Sequence, residues 1–235
     1  MVKQGAFVYT NCGRGYRRGT LMPTELIDLL EKAESYLPKQ KIRLIQRAYR
    51  FAEEKHSGQT RLTGAPYIEH PIETALYLAD LRQDAPTLAA ALLHDVIEDC
   101  NVSRYEIQRR FGQEVARLVD GVTKLARIEM LAAGSNEALT AEEGNLRAES
   151  IRKMLVAMAE DIRVVLIKLG DRLHNMRTLQ AHPPHRRKGI SQETLDIYAP
   201  LAHRLGMWDV KWQLEDLAFR HVNGEAYRQV SRLVA

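Results

Sequence analysis

Residues 88–100, LAAALLHDVIEDC, restrict the fold more than any other stretch of the chain. An unbroken apolar run, Leu88 to Leu93, leads directly into His94-Asp95, then Val96-Ile97, then Glu98-Asp99. Read as a helix, its early turns are buried and must be surrounded by other elements. At its end, residues four apart share a face, so His94 stands over Glu98 and Asp95 over Asp99. Burying carboxylates without partners is costly, and a divalent cation is one such partner. Imidazole plus carboxylate is a mixed nitrogen and oxygen donor set that suits manganese, iron, zinc or magnesium. Taken alone, the dipeptide is equally compatible with a surface pair at a helix end, and the rest of the chain has to decide.

The rest of the chain is patterned for helix. Segments 24–36 and 39–56 carry apolar residues at three- and four-residue spacing, separated at Pro38. The second places Ile42, Ile45, Ala48, Tyr49 and Ala52 on one side. Residues 57–69 hold two glycines and a proline and read as a loop. His70-Pro71 opens a helix through about Leu81, with proline suited to a first turn. Pro86 starts the central helix. Ser103 can cap 103–111, with Glu106 completing a capping box, and Glu114 to about Arg127 is helical again.

Residues 132–146, with Gly134, Ser135, Asn136 and Gly144, read as a mobile loop, expected to move with the on/off state of the site. A long periodic segment follows, broken near Asp161 into helices at 147–159 and 162–179. A basic loop comes after His182-Pro183-Pro184, then helices at about 191–204 and 208–221. No stretch alternates like a strand, so the fold class is all-α.

Composition narrows the partners. The hydrophobic fraction of 45% and charged fraction of 27% are ordinary for a globular protein. No apolar run is long enough to span a bilayer, and no N-terminal apolar core marks a secretory signal. Cys12 and Cys100 make no disulfide framework, which points to a reducing cytoplasm. The net charge of +4 belongs to the tail: Lys3, Arg14, Arg17 and Arg18 lie in residues 1–20 with no acid. The remainder carries 30 basic and 30 acidic residues, so the charge is no argument for nucleic-acid binding by the folded part. Residues 1–22 read as a disordered basic extension.

Further positions can join His94 and Asp95. His70 opens a helix after the Gly/Pro loop. Asp171 follows the apolar run Val164-Val165-Leu166-Ile167, and Asn175 and Thr178 share its helical face. Two His and two Asp from three helices are the minimum set for one catalytic cation with positions left open for water and substrate.

The spacing His70…His94-Asp95…Asp171 is the H…HD…D pattern of the HD phosphohydrolase superfamily. Around it, YIEHPIETA, AAALLHDVIEDC, LVDGVTKL, RKMLVAMAEDIRVVLIKLGDRLHNMRTL and YAPLAHRLGMWDVKWQLEDLAF resemble the N-terminal hydrolase region of the RelA/SpoT family. These are the long alarmone synthetase–hydrolases of the stringent response. The resemblance covers about residues 24–225. It implies a helical HD bundle over 23–205, and C-terminal helices over 206–235 that lead toward a synthetase domain absent from this sequence. It also implies an activity: manganese-dependent removal of the 3′-pyrophosphate from ppGpp or pppGpp, leaving GDP or GTP. Any contact with the ribosome would run through regions this sequence lacks.

Carried over residue by residue, His70, His94, Asp95 and Asp171 match the metal ligands. Glu98 and Asp99 match the acidic pair beside the metal. Arg61, Thr63, Asn175 and Thr178 match positions at the nucleotide pocket. Metal-bound water becomes acidic, and neighbouring carboxylates can position and deprotonate it. Arg61 can stack on a base or fork onto phosphate.

One departure stands out. The family usually has Arg-Lys-Ser-Gly before its first metal His, whereas this chain has Arg61-Leu62-Thr63-Gly64. Leu62 replaces a cation, and Lys55 or Arg177 are the candidates to take over. Gly170, where Ala is common, is expected to loosen the helix before Asp171. Synthetase-specialised relatives lose the HD and the acidic pair, and this chain keeps both. Two alternatives stay open: an alarmone-binding module without turnover, and an HD enzyme for another nucleotide. The sequence is expected to be either a piece of a longer protein or a solitary hydrolase. Trp208 and Trp212, four apart, are expected to pack, and the basic run 182–188 to be a solvated loop.

Overall fold

A computed structural model describes residues 23–133 and 160–234, with side chains up to 126 and from 160 to 233. The basic extension 1–22, loop residues 134–146 and the helix expected over 147–159 lie outside them.

Among the described residues there is no strand, only an isolated bridge between Thr60 and Pro66. The apolar run at 88–93 sets the centre. Helix α4, Ala85–Leu93, is buried almost from end to end, as a helix apolar all round must be. Its start is fixed locally. Asp84 Oδ1 accepts from Thr87 N at 2.9 Å and Thr87 Oγ1 at 2.5 Å, and Pro86 occupies the first turn.

Helices α1 (Thr24–Glu34), α2 (Lys39–Lys55) and α3 (Glu69–Asp80) precede it. The short α5 (Val96–Asp99), then α6 (Arg104–Phe111) and α7 (Gln113–Ala133), follow. Helices α2, α3 and α7 pack on α4, and α8 (Ile162–Arg177) lies across α3 and α7. Ile42, Ile45, Ala48, Tyr49 and Ala52 all turn inward from α2, as their spacing requires.

Two glycines decide how closely α8 approaches. A Cβ on Gly121 would stand 2.8 Å from Val164 Cγ2, so α7 can meet α8 only because residue 121 has no side chain. A Cβ on Gly170 would stand 3.2 Å from Tyr77 Cδ1 and 3.4 Å from Thr74 Cγ2. Gly170 therefore seats Asp171 against α3, a packing role beyond the loosening expected from propensity.

Several expectations are corrected. Helix α7 continues to Ala133, six residues beyond Arg127. The basic run does not stay a loop: α9, Pro184–Glu193, begins at Pro184, where the missing N–H costs nothing. Its side chains remain largely solvated. The helix then widens to π geometry over Thr194–Tyr198 before α10, Ala199–Arg204. Pro200 has no N–H for the carbonyl four residues earlier, which favours the wider turn.

The Ser103 box is half made. Ser103 Oγ accepts from Glu106 N at 3.1 Å, but the Glu106 carboxylate accepts from Arg110 Nε at 3.1 Å instead. Trp208 and Trp212 on α11 (Trp208–Val222) are exposed, at 61% and 57%. Four-residue spacing puts them on one face, but that face is not the one that meets α8 and α9; Val210, Leu214 and Ala218 are. Trp208 meets His203 edge-on at 4.6 Å. Helix α12, Gly224–Val234, ends the described chain.

Candidate active site

The site forms where three helices end or cross beside the core. His70 is the second residue of α3, His94 ends α4, Asp95 begins α5, and Asp171 lies two-thirds along α8. Both imidazoles are almost completely buried, at 2% and 1% exposure, and their ring centroids are 5.1 Å apart. One ligand atom each from His70, His94 and Asp95 lies within 4.8 Å of the others. Asp171 approaches the same point, with Oδ1 3.2 Å from His70 Nε2 and 4.0 Å from His94 Nε2. Asp95 faces both rings, Oδ2 at 3.6 Å from His70 Nε2 and Oδ1 at 3.1 Å from His94 Nε2.

Hydrogen bonds say what this cluster lacks. His94 Nδ1 meets the Ala91 carbonyl at 2.7 Å, so its hydrogen is donated there. In the neutral ring that leaves Nε2 as a lone pair, buried and without a hydrogen-bond partner, beside carboxylate oxygens that are themselves acceptors. Lone pairs converging in a buried place call for a proton or a cation, and a backbone-anchored imidazole is the usual way to present a metal ligand. The donor set fits a divalent ion.

The charges respond accordingly. Burial lowers the His94 pKa, but Asp95 beside it outweighs burial and carries the imidazole up to about 9. At His70 burial wins, and its pKa is lowered. Burial would raise both aspartates. His94 next to Asp95, and Lys168 next to Asp171, hold the two carboxyls below the usual range instead. Lys168 Nζ reaches Asp171 Oδ2 at 3.0 Å.

Glu98 and Asp99 stand at the open side on α5, and both are exposed. Burial of its inner part, then Asp95, raises the Glu98 pKa. Asp99 is tied into the cluster by a residue the sequence reading passed over. Tyr67 Oη lies 2.6 Å from Asp99 Oδ2 and 2.8 Å from Asp95 Oδ2. Burial, then Asp95, pushes that phenol well above its ordinary pKa, so it remains a donor. Tyr67 lies in YIEHPIETA, three residues before His70, but nothing in the spacing assigns a loop tyrosine its partners.

The residues proposed for the nucleotide divide. Arg61 Nη2 donates to Asn175 Oδ1 at 2.6 Å, and Asn175 Nδ2 donates to Asp171 Oδ1 at 2.6 Å. Arg61 and Asn175 are therefore linked to the cluster. Thr178 closes α8, its hydroxyl given to the His174 carbonyl at 3.2 Å. Thr63 is exposed at the tip of the 57–69 loop beside Leu62, which is 68% exposed. The loop is held by Arg61 N to Ala65 O and Gly64 N to Arg61 O, both 2.9 Å, with Gly64 at φ +86°.

Lys55 lies over the Phe51 ring at 5.2 Å, and Arg177 donates to Gln213 on α11 at 2.7 Å. Both are engaged elsewhere. His174 has its ring 4.8 Å from that of His70. Burial, then His70 and Arg61, lowers its pKa to about 3, so it stays neutral.

Comparison with known proteins bears on the family and the fold. The family model described as HD domain matches residues 48–208. Among curated proteins, the chain is 48% identical over 205 residues to guanosine-3′,5′-bis(diphosphate) 3′-pyrophosphohydrolase of Aquifex aeolicus, covering 87% of this chain and 27% of that protein. It is 46% identical over 206 residues to the Vibrio cholerae protein of the same name, covering 88% of this chain and 28% of that one. It is 45% identical over 208 residues to GTP pyrophosphokinase rsh of Brucella ovis, covering 88% and 26%. The chain thus spans about a quarter of the length of these curated relatives. A solved structure, described as a metazoan ortholog of SpoT that hydrolyzes ppGpp and plays a role in starvation responses, superposes with a TM-score of 0.51. It is 25% identical, over 79% of this chain and 97% of that one.

Proposed function

This chain belongs to the HD-domain family, and from that premise we propose that it is a metal-dependent (p)ppGpp 3′-pyrophosphohydrolase. It would take ppGpp or pppGpp to GDP or GTP plus pyrophosphate. The names of the relatives support the substrate. The observation that carries the chemistry is the buried His94 Nε2, a lone pair fixed by Ala91 and pointed at Asp95 and Asp171.

In this reading His70, His94, Asp95 and Asp171 hold one Mn2+. When bound, the ion supplies Lewis acidity toward a phosphate oxygen and toward water. The remaining steps belong to the chain. Asp99, with Glu98, orients the attacking water and takes its proton. Glu98, with its raised pKa, is suited to carry a proton that its neighbour sheds. Lys168 and Asn175 hold the two oxygens of Asp171 and keep that carboxylate oriented. Arg61 lies over the Tyr67 ring at 5.7 Å, offering a planar cation for base or phosphate; Asn175, Thr63 and Thr178 complete the nucleotide side. In-line attack at the inner phosphorus of the 3′-diphosphate breaks its bond to the ribose 3′-oxygen, which takes up the proton carried by Glu98, and releases pyrophosphate.

No helix among the described residues is long and apolar enough to cross a membrane, and we place the protein in the cytoplasm. In the full-length relatives' arrangement, a synthetase domain in cis would be its partner.

The test is pyrophosphate release from ppGpp by purified protein with manganese. Release that stops on chelation and in Asp95→Ala is expected. Intact ppGpp after incubation with wild-type protein and manganese would remove the proposal. Exposed Leu62, in place of a cation, favours a second reading, an HD enzyme for a less highly charged nucleotide. Faster turnover of a dNTP or a nucleoside 3′-phosphate than of ppGpp would support that instead.

A further inference from the structure

We infer that Tyr67 is a positioning residue for this reaction, its hydroxyl holding the Asp99 carboxylate at a set distance from the ligand Asp95. The inference rests on the hydrolase reading above and concerns a residue that reading does not need.

The geometry is specific. Oη makes two short contacts, 2.6 Å to Asp99 Oδ2 and 2.8 Å to Asp95 Oδ2. A hydroxyl has one hydrogen, so it donates to one carboxylate at a time and can only share it between two. The shorter contact is to Asp99. Among the described residues, no other side chain hydrogen-bonds the Asp99 carboxylate. Asp99 sits at the end of a four-residue helix with its side chain exposed. Without Tyr67 it would be free to rotate away, and repulsion from Asp95 would encourage it to.

The phenol itself is not free. Its ring stacks on His56 at 4.5 Å and 13°, and its edge meets His70 at 6.2 Å. Its main-chain N–H donates to the Gln59 carbonyl at 3.1 Å. His56 is buried and held at 2.7 Å by Gln59 Oε1. A rigid stack thus fixes a hydroxyl, and the hydroxyl fixes an otherwise mobile carboxylate. A carboxylate displaced by about 1 Å from its reacting water can lose on the order of 100-fold in rate.

The test is Tyr67→Phe, which keeps the stack and removes the hydroxyl. Steady-state pyrophosphate release from ppGpp should show kcat lowered about 10- to 100-fold with KM unchanged. The loss should persist when manganese is raised to saturation. In an Asp99→Asn background, Tyr67→Phe should cost little more, because the two act as a unit.

Wild-type kcat in Tyr67→Phe overturns the inference. So does a loss that excess manganese abolishes, which would leave Tyr67 serving only Asp95's grip on the ion. Fully additive effects in the double variant overturn it too. Should Tyr67→Phe melt below the assay temperature, Asp99→Glu probes the same distance from the other side. A kcat-only defect there supports the inference, and wild-type kcat refutes it. Wild-type protein inert toward ppGpp overturns the hydrolase reading and this inference together; an active wild type with an equally active Tyr67→Phe overturns the inference alone.

Discussion

Metal binding at this site should release a proton, and the amount follows from one imidazole. His94 gives its Nδ1 hydrogen to Ala91, and its Nε2 stands 3.1 Å from Asp95 Oδ1. In metal-free protein two acceptors cannot share that distance comfortably, so Nε2 takes a proton. Burial opposes it and Asp95 favours it more, giving a pKa of about 9. A cation on Nε2 needs the neutral ring. At pH 7, about two pH units lower, roughly 1 ring in 100 is neutral, so apparent affinity should lie about 100-fold below its limit. Affinity should then climb about tenfold per pH unit toward pH 9.

The same pKa sets stability in the metal-free protein. A raised folded pKa contributes stability that is complete below the unfolded value near 6.5 and is lost as pH rises through about 9. At about 1.36 kcal/mol per pH unit, that contribution is about 3 kcal/mol. It is one interaction, seen also as the lowered Asp95 pKa, and is counted once. Calorimetry of manganese binding in buffers of different ionisation enthalpy should return about one proton released at pH 7, and melting of stripped protein should fall between pH 6.5 and 9. No proton release, with affinity flat across that range, would refute the reasoning.

Two further outcomes follow from packing and charge. Gly121→Ala puts a methyl group 2.8 Å from Val164 Cγ2; overpacking of about 1–3 kcal/mol exceeds the helix gain of about 1 kcal/mol, so urea denaturation should show a net loss of about 1 kcal/mol, partly relieved in the Gly121→Ala/Val164→Ala double variant. Lys168→Met removes the cation 3.0 Å from Asp171 in a pair exposed only 12% and 8%, which should destabilise by about 3 kcal/mol at pH 7. A lowered carboxyl pKa contributes stability above the unfolded value near 3.9, lost as pH falls through the folded value. With Lys168 gone the folded value rises, so acid unfolding followed by circular dichroism should begin at higher pH; a curve identical to wild type would contradict this.

Residue spacing was enough to read the class and much of the core. The unbroken Leu88–Leu93 run demands neighbours on every side, and α4 has them. The inward residues of α2 follow from period alone. The H…HD…D spacing, with its flanking motifs, singles out the four ligand candidates, because backbone period and residue chemistry are local properties. Apolar spacing failed where the partner mattered. Trp208 and Trp212 share a face, but which face of α11 meets α8 and α9 is decided by those helices, and it is the other one.

Tertiary structure alone decided the rest. No local pattern joins Tyr67 to Asp99 or Arg61 to Asn175, since each contact depends on where separate segments cross. The glycines at 121 and 170 read as weak helix formers in one dimension; in three they are the places where α8 comes close enough to carry Asp171 to His70. A chain can specify its donors by identity and period, but the distances among them are set only when helices far apart in sequence pack.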